Sequence, residues 1–172
     1  MKHLPAIGAW ILLSGRLCET MSSRHYPSAP LLGACTAIWR NGRILLAKRS
    51  VDPNAGTWAM PGGLVETGER LEQAAIREVR EETSLEMSNL IFNRFHEIIL
   101  RDPENRVERH FVLAMFVGIS AEGEAIAGDD AAAVEWFTLD QLPELPLTGK
   151  TDVFVRESLG LLPRLASGDI SV

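Results

Sequence analysis

The chain has 172 residues, 46% apolar and 23% charged, with a formal net charge of −6 and mean hydropathy near zero. That length suits one domain whose core needs neither disulfides nor structural zinc, and the composition is that of an ordinary globular protein. The acidic balance argues against a nucleic-acid backbone as partner, which calls for basic patches, but admits a phosphorylated small molecule if metal ions screen the repulsion.

Lys2 and His3 precede an apolar run, Leu4 to Leu13, too short to span a bilayer and followed by no clean cleavage site. Met21 then opens a polar lead, MSSRHYPSAP. The expectation is an N-terminal extension over residues 1–28, outside the functional domain at 29–172, with Met21 as the start of the functional protein. Cys18 and Cys35 have neither metal-ligand spacing nor a disulfide framework, which suits a reducing cytoplasm.

Leu32 to Trp39 is a strand-like run ended by Asn41-Gly42, the strongest short hairpin signal, and Arg43 to Lys48 returns as its partner. Arg49 to Gly56 is loop by its Pro, Asn and Gly content. Thr57 to Met60 is a short strand broken by Pro61-Gly62-Gly63. A helix is predicted from Glu69 to Thr83, with Thr67 near its start and Glu69 and Glu72 at the positive end of its dipole. Strands at Asn89 to Leu100 and Arg109 to Ile119 flank the polar loop RDPENR. Ala121 to Asp130 is an acidic loop, Val134 to Thr138 a last strand, and LDQLPEL a bent or single-turn segment. Thr151 to Leu165 closes the chain as an amphipathic helix, its apolar side Val153, Val155, Leu159 and Leu162. Strands before and after a central helix predict an α+β fold, a mixed β-sheet sandwiched between α-helices.

The segment REVREE carries the chemistry. At about 100° per residue, Leu71, Ala74, Ala75 and Val79 share the side that a helix buries. Glu78 and Glu82 fall in the same arc, with Glu81 at its edge. Carboxylates on a packing face are costly without compensating charge, and Arg77 and Arg80 project toward the opposite face. Hard Mg²⁺ or Mn²⁺ is the natural remedy, since it takes oxygen ligands and brings phosphate with it. The preceding Gly-Gly turn lets backbone carbonyls approach an ion closely, because no Cβ intervenes. Such an all-oxygen site is too acidic for zinc and suits a Mg²⁺ that holds phosphates and activates water for in-line attack. The other reading of REVREE is a solvated face laced by i,i+4 pairs such as Arg77 with Glu81. On the residues alone, both stand.

The spacing resembles the signature of the Nudix hydrolases: Gly, five residues, Glu, seven residues, Arg-Glu-aliphatic-x-Glu-Glu, two positions and an aliphatic. Here these are Gly63, Glu69, Arg77, Glu78, Val79, Glu81, Glu82 and Leu85. The flanks, WAMPGG before and Trp136-Phe137 to Pro143 after, are similar too, so the resemblance spans roughly Leu31 to Leu165. It implies the Nudix α/β/α fold and Mg²⁺-dependent cleavage, with Mn²⁺ as substitute, of a phosphoanhydride in a nucleoside diphosphate linked to another moiety. It also implies roles. The Gly62 carbonyl, Glu78 and Glu82 would ligate metal, with Glu81 a further ligand or base. Glu69 would hold Arg77, and Arg77 would orient Glu78. Asp130, with Asp129 and Glu124 as rivals, would be the acidic loop residue that serves as ligand or base. Ser84 stands where the family has Gly, which predicts a different helix exit, since serine carries a left-handed penalty of about 1 kcal/mol.

For substrate, RSVDPNAGTW and RDPENRVERHFVLAMF look like the short bacterial branch of ADP-ribose pyrophosphatases. Arg49 and Arg101 are candidate phosphate contacts, Gly63 a backbone contact, and Trp58 or Phe111 a platform for a base, although aromatics in strands are more often core. The alternatives are a nucleoside-triphosphate pyrophosphatase that sanitises oxidised nucleotides and a binding module without catalysis. Intact Glu78, Glu81 and Glu82 speak against the latter. The partner expected is a small-molecule nucleotide, with no nucleic acid and no membrane, and a homodimer is carried over from relatives.

Overall fold

Strands β1 (Leu31–Arg40) and β2 (Arg43–Arg49) form a hairpin whose register pairs Arg40 with Arg43 and Ile38 with Leu45. Its turn residues Asn41 and Gly42 have φ of 49° and 72°, the left-handed pair that a tight hairpin turn demands and that Asn-Gly tolerates. A computed structural model describes residues 24–52, 54–120, 123–128 and 131–168.

Beyond Ile38 the two arms of the hairpin part and the chain re-enters between them. β3 (Trp58–Ala59) pairs antiparallel with the far half of β2, and β4 (Gly62–Leu64) with the first half of β1. β7 (Ala131–Phe137) takes the other edge of β2. β6 (Val107–Ile119) and β5 (Leu90–Arg101) extend the sheet beyond β1. A parallel bridge from Trp58 to Leu147 makes the pairing mixed.

Side chains alternate across a strand, and here the alternation assigns each face a helix. Ala34, Ile38 and Leu45 pack with Ala74, Ala75 and Val79 of α1 (Leu71–Thr83). Ala37, Trp39 and Ile44 pack with Phe154 and Val155 of α2 (Thr151–Ser158). The result is the α/β/α layering expected. Two compact units divide the described residues: Glu97–Val112 with the residues up to Leu31, and Leu32–His96 with those from Leu113 on. In the first, Asp102 Oδ2 accepts from the Tyr26 hydroxyl at 3.0 Å and from Arg106 Nε at 2.7 Å. The second holds both helix layers. The expected 1–28 extension lies for the most part outside the described residues.

Helix boundaries differ from the sequence reading in instructive ways. α1 begins at Leu71 rather than Glu69, because Arg70 is extended (φ −81°, ψ 151°) and its N–H donates to the Gln73 side chain. Glu69, left outside the helix, is free to bind Arg77. The C-terminal segment is α2, a 3₁₀ turn at Leu159–Leu161 and α3 (Leu162–Ser167), since Pro163 lacks the N–H that a continuous helix would need. Its buried side is Phe154 and Val155, while Val153 is 39% exposed, a correction to the expected stripe. Among the described residues no helix is long and apolar enough to cross a membrane.

The exit of α1 also corrects the expectation. Ser84 takes the left-handed conformation itself (φ 58°, ψ 12°), and its N–H donates to the Arg80 carbonyl. Serine therefore keeps the cap and bears the strain. Ser84→Gly should raise the unfolding free energy by about 0.5–1 kcal/mol, the left-handed penalty less glycine's extra unfolded-state entropy. A shift of the urea midpoint to higher concentration at unchanged slope checks it.

Candidate active site

The site starts from the register of β4. Thr36 N–H donates to the Pro61 carbonyl and Val65 N–H to the Leu32 carbonyl, and Ala34 pairs with Gly63 between them. In an antiparallel ladder the intervening residues turn their polar groups outward. Gly62 and Leu64 are those residues, and α1 meets both. Gly62 N–H donates to Glu82 Oε2 at 3.1 Å, and the Leu64 carbonyl accepts from Arg77 Nη2 at 3.0 Å. By the same alternation the Gly62 carbonyl points away from β1. Space demands glycine at 62, where a Cβ would overlap the Ala34 carbonyl, and at 63 a Cβ would displace the Glu78 carboxylate.

Arg77 organises the acidic residues. Its Nε and Nη2 grip Glu69 at 2.9 and 3.0 Å, while Nη1 donates to Glu78 at 2.7 Å and Glu81 at 3.0 Å. With the Leu64 carbonyl, this occupies all five guanidinium donors. The helical wheel placed Arg77 on the opposite face, and the structure corrects that. A wheel locates Cα atoms, whereas a long side chain carries its charge around the helix. The side chains of Arg77, Glu69 and Glu78 are 19%, 15% and 14% exposed, against 52% for Glu81.

The two half-shielded partners of Arg77, Glu69 and Glu78, are shifted in opposite directions. Glu69 is held below the usual carboxylate range by its Arg77 hydrogen bonds and a backbone N–H. Glu78 is raised because desolvation outweighs its bond to Arg77. Arg77 is pushed above the ordinary arginine range, chiefly by Glu69. With Glu81 and Glu82 beside them, these carboxylates outnumber the Arg77 guanidinium that they surround. The Cys35 thiol beside Gly62 feels the same field: burial first, then Glu82 and Glu78, push its pKa up to about 12. It is neutral at physiological pH.

Donor chemistry and space suit a hard divalent cation. Among the described residues no three His, Cys, Asp or Glu side chains form a ready cage. Mg²⁺ needs none, since it binds through one or two carboxylates and keeps waters for phosphate. Glu78, Glu82 and the outward Gly62 carbonyl supply that kind of set.

The other expected residues divide. Among the described residues Arg49 has a buried Nε without a hydrogen-bond partner, and its charge opposes the rise of the Cys35 pKa, which sets it close to the glycine edge. Trp58 is 7% exposed and meets Phe137 edge-on at 4.9 Å. It is therefore core rather than a base platform. Arg101 belongs to the Glu97–Val112 unit, where Nη1 donates to the Asn105 carbonyl. Asp129 and Asp130 lie outside the described residues, and Glu124 is exposed. The sequence reading missed Gly128, whose N–H donates to the Glu82 carbonyl. A glycine directly before the Asp-Asp pair of an acidic loop was the available signal.

Comparison with known proteins agrees with this geometry. Residues 30–157 match the NUDIX domain. The chain is 36% identical over 118 residues to the ADP-ribose pyrophosphatase of Methanocaldococcus jannaschii, covering 67% of this chain and 66% of that protein. It is 34% identical over 136 residues to the NAD-capped RNA hydrolase NudC of Edwardsiella ictaluri, covering 78% and 49%. It thus spans about two thirds of the first and half of the second. The crystal structure of a MutT NUDIX hydrolase from Burkholderia pseudomallei aligns with TM-score 0.66 at 35% identity, covering 75% of this chain and 98% of that one. A match over most of the chain, in a range that includes the glycine strand and the carboxylate helix, establishes that it belongs to the NUDIX domain family.

Proposed function

We propose that the chain is a Mg²⁺-dependent hydrolase of a phosphoanhydride bond in a nucleoside diphosphate linked to another moiety, with an ADP-ribose-like substrate favoured. The observation that carries this reading is the meeting of Glu78 and Glu82 with the Gly62–Gly63 edge, where Gly62 N–H donates to Glu82 and Glu78 lies against Gly63. Glu78, Glu82 and the Gly62 carbonyl hold the metal, and Glu81 is a further ligand or base. When bound, Mg²⁺ screens the diphosphate charge and activates the attacking water. Arg77, anchored by Glu69, fixes Glu78 in its ligating orientation. Arg49 reaches a phosphate oxygen with the donor that the fold leaves open, and Gly63 lets the substrate approach the main chain. Asp130 is the candidate loop base. The names of two relatives, an ADP-ribose pyrophosphatase and an NAD-capped RNA hydrolase, support a diphosphate-bridged nucleotide. A reducing cytoplasm suits the free Cys35 thiol.

The test is a panel of ADP-ribose, NAD and ordinary and oxidised nucleoside triphosphates with Mg²⁺ or Mn²⁺, read by product mass. AMP and ribose 5-phosphate are expected from ADP-ribose. A nucleoside monophosphate with pyrophosphate from the triphosphates alone would move the assignment to the sanitising class. Absence of any metal-dependent product would sink the hydrolase reading.

A further inference from the structure

The segment from Gly123 to Gly128 crosses the C-terminal end of α1. A helix leaves its last carbonyls without partners, and this segment supplies them. Ile126 N–H donates to the Thr83 carbonyl at 2.9 Å and Gly128 N–H to the Glu82 carbonyl at 3.0 Å. Ala125 packs on the cluster that buries Ala74, Ala75 and Val79. At Gly128 the approach is closest. A Cβ there would overlap the Glu81 carbonyl oxygen and lie 3.3 Å from the Glu82 Cα. The obstacle is backbone, which no change of rotamer relieves. Gly128 is not among the positive-φ residues, so proximity rather than conformational freedom demands glycine.

The same two residues that meet the loop through their main chain carry acidic side chains into the site. Glu82 binds Gly62 N–H through its carboxylate and Gly128 N–H through its carbonyl. Resting on the metal-site reading above, we propose that Gly128 is a positioning residue: by admitting the acidic loop against the Glu81–Glu82 main chain, it fixes the Glu82 carboxylate at the glycine edge. Any larger residue at 128 must displace either the loop or the helix end, and both carry candidate ligands.

The experiment compares the full chain with Gly128→Ala and with Gly118→Ala. Gly118 is the control, since its Cβ would press on side-chain ends, Met87 Cε at 2.5 Å and Leu90 Cδ2 at 2.7 Å. Mn²⁺ binding is followed by electron paramagnetic resonance, folding by circular dichroism, and kcat and KM by the hydrolysis assay. In Gly128→Ala the Mn²⁺ dissociation constant should rise, and kcat fall, by about tenfold or more, as for loss of a residue that orients a ligand, with KM changed less. Gly118→Ala should lower Tm and leave Mn²⁺ affinity intact. Ile126→Pro removes the neighbouring donor at an exposed side chain and should weaken Mn²⁺ in the same direction, even if Gly128→Ala does not fold. Wild-type affinity in a folded Gly128→Ala or Ile126→Pro, or an equal loss in Gly118→Ala, overturns the assignment. Failure of wild type to bind Mn²⁺ instead overturns the metal-site reading beneath it.

Discussion

Glu82→Gln is expected to lower metal-dependent hydrolysis by at least about a hundredfold, since even residues that only orient a ligand cost 10–100-fold when removed. Thermal unfolding should stay close to wild type. Glutamine has the size of glutamate, and its side-chain carbonyl still accepts the Gly62 N–H that Glu82 now binds at 3.1 Å. The charge is what disappears, and with it one of the two carboxylates proposed to hold a hard cation. Activity and stability should therefore separate. Equal, background-level rates in wild type and Glu82→Gln would refute the hydrolase claim, and full activity in the variant would remove Glu82 from the ligand set.

Arg77→Lys should be costly in a different way, because it damages both stability and rate. The ammonium keeps the charge but offers three donors from one point, whereas Arg77 makes bonds to Glu69, Glu78, Glu81 and the Leu64 carbonyl through a planar fork. The bidentate grip on Glu69 cannot be reproduced. A destabilisation of about 1–2 kcal/mol is expected, the net worth of a partly shielded charge-assisted hydrogen bond. A loss of about 10–100-fold in kcat should accompany it, since Glu78 loses its orienting partner. Combining it with Glu69→Gln should add less than the two single effects, because each removes the same interaction. The pH dependence has a definite sign. Arg77 lowers the Glu69 pKa in the fold, so the pair stabilises above the unfolded carboxylate value and the benefit fades as pH falls through the folded one. The stability deficit of Arg77→Lys should shrink on acidification, and a deficit that grew would contradict the pairing.

What could be read from the chain was local chemistry. Asn41-Gly42 announced its turn because only such residues accept two positive φ values in succession, and the apolar side of α1 followed from period alone. The acidic cluster was legible because its residues lie within one helix. Arg77 was misplaced for a related reason: its guanidinium acts several ångströms from the Cα that the wheel locates. Glu69 leaves the helix through an extended Arg70, a choice made by the Gln73 side chain rather than by propensity. Trp58 is set in the core by Phe137, and Phe154 replaces Val153 on the buried face, contacts that depend on segments far apart in sequence. The need for glycine at 128 was not legible, because it arises from the helix end that the residue touches, some 45 residues earlier. Ser84 shows the limit of residue-type rules, since the surrounding helix and loop impose a conformation that serine alone would avoid.

The insertion of β3 and β4 between the parted arms of the β1–β2 hairpin bears on how such a chain can change over evolution. The glycine edge owes its position to main-chain registry with β1, and apart from its glycines, which admit no Cβ at Gly62, length is what its placement depends on. Length changes act unevenly. The loop after Arg49 is closed at both ends, with Arg49 N–H on the Thr57 carbonyl and Gly56 N–H on the Arg49 carbonyl, so added residues there can bulge into solvent. One residue inserted between Pro61 and Leu64 would exchange inward and outward groups along the strand. Gly62 would then present its amide to β1 and its neighbour would face α1. Drift in loop length is tolerable on one side of Trp58, and a single codon on the other side would dismantle the glycine edge.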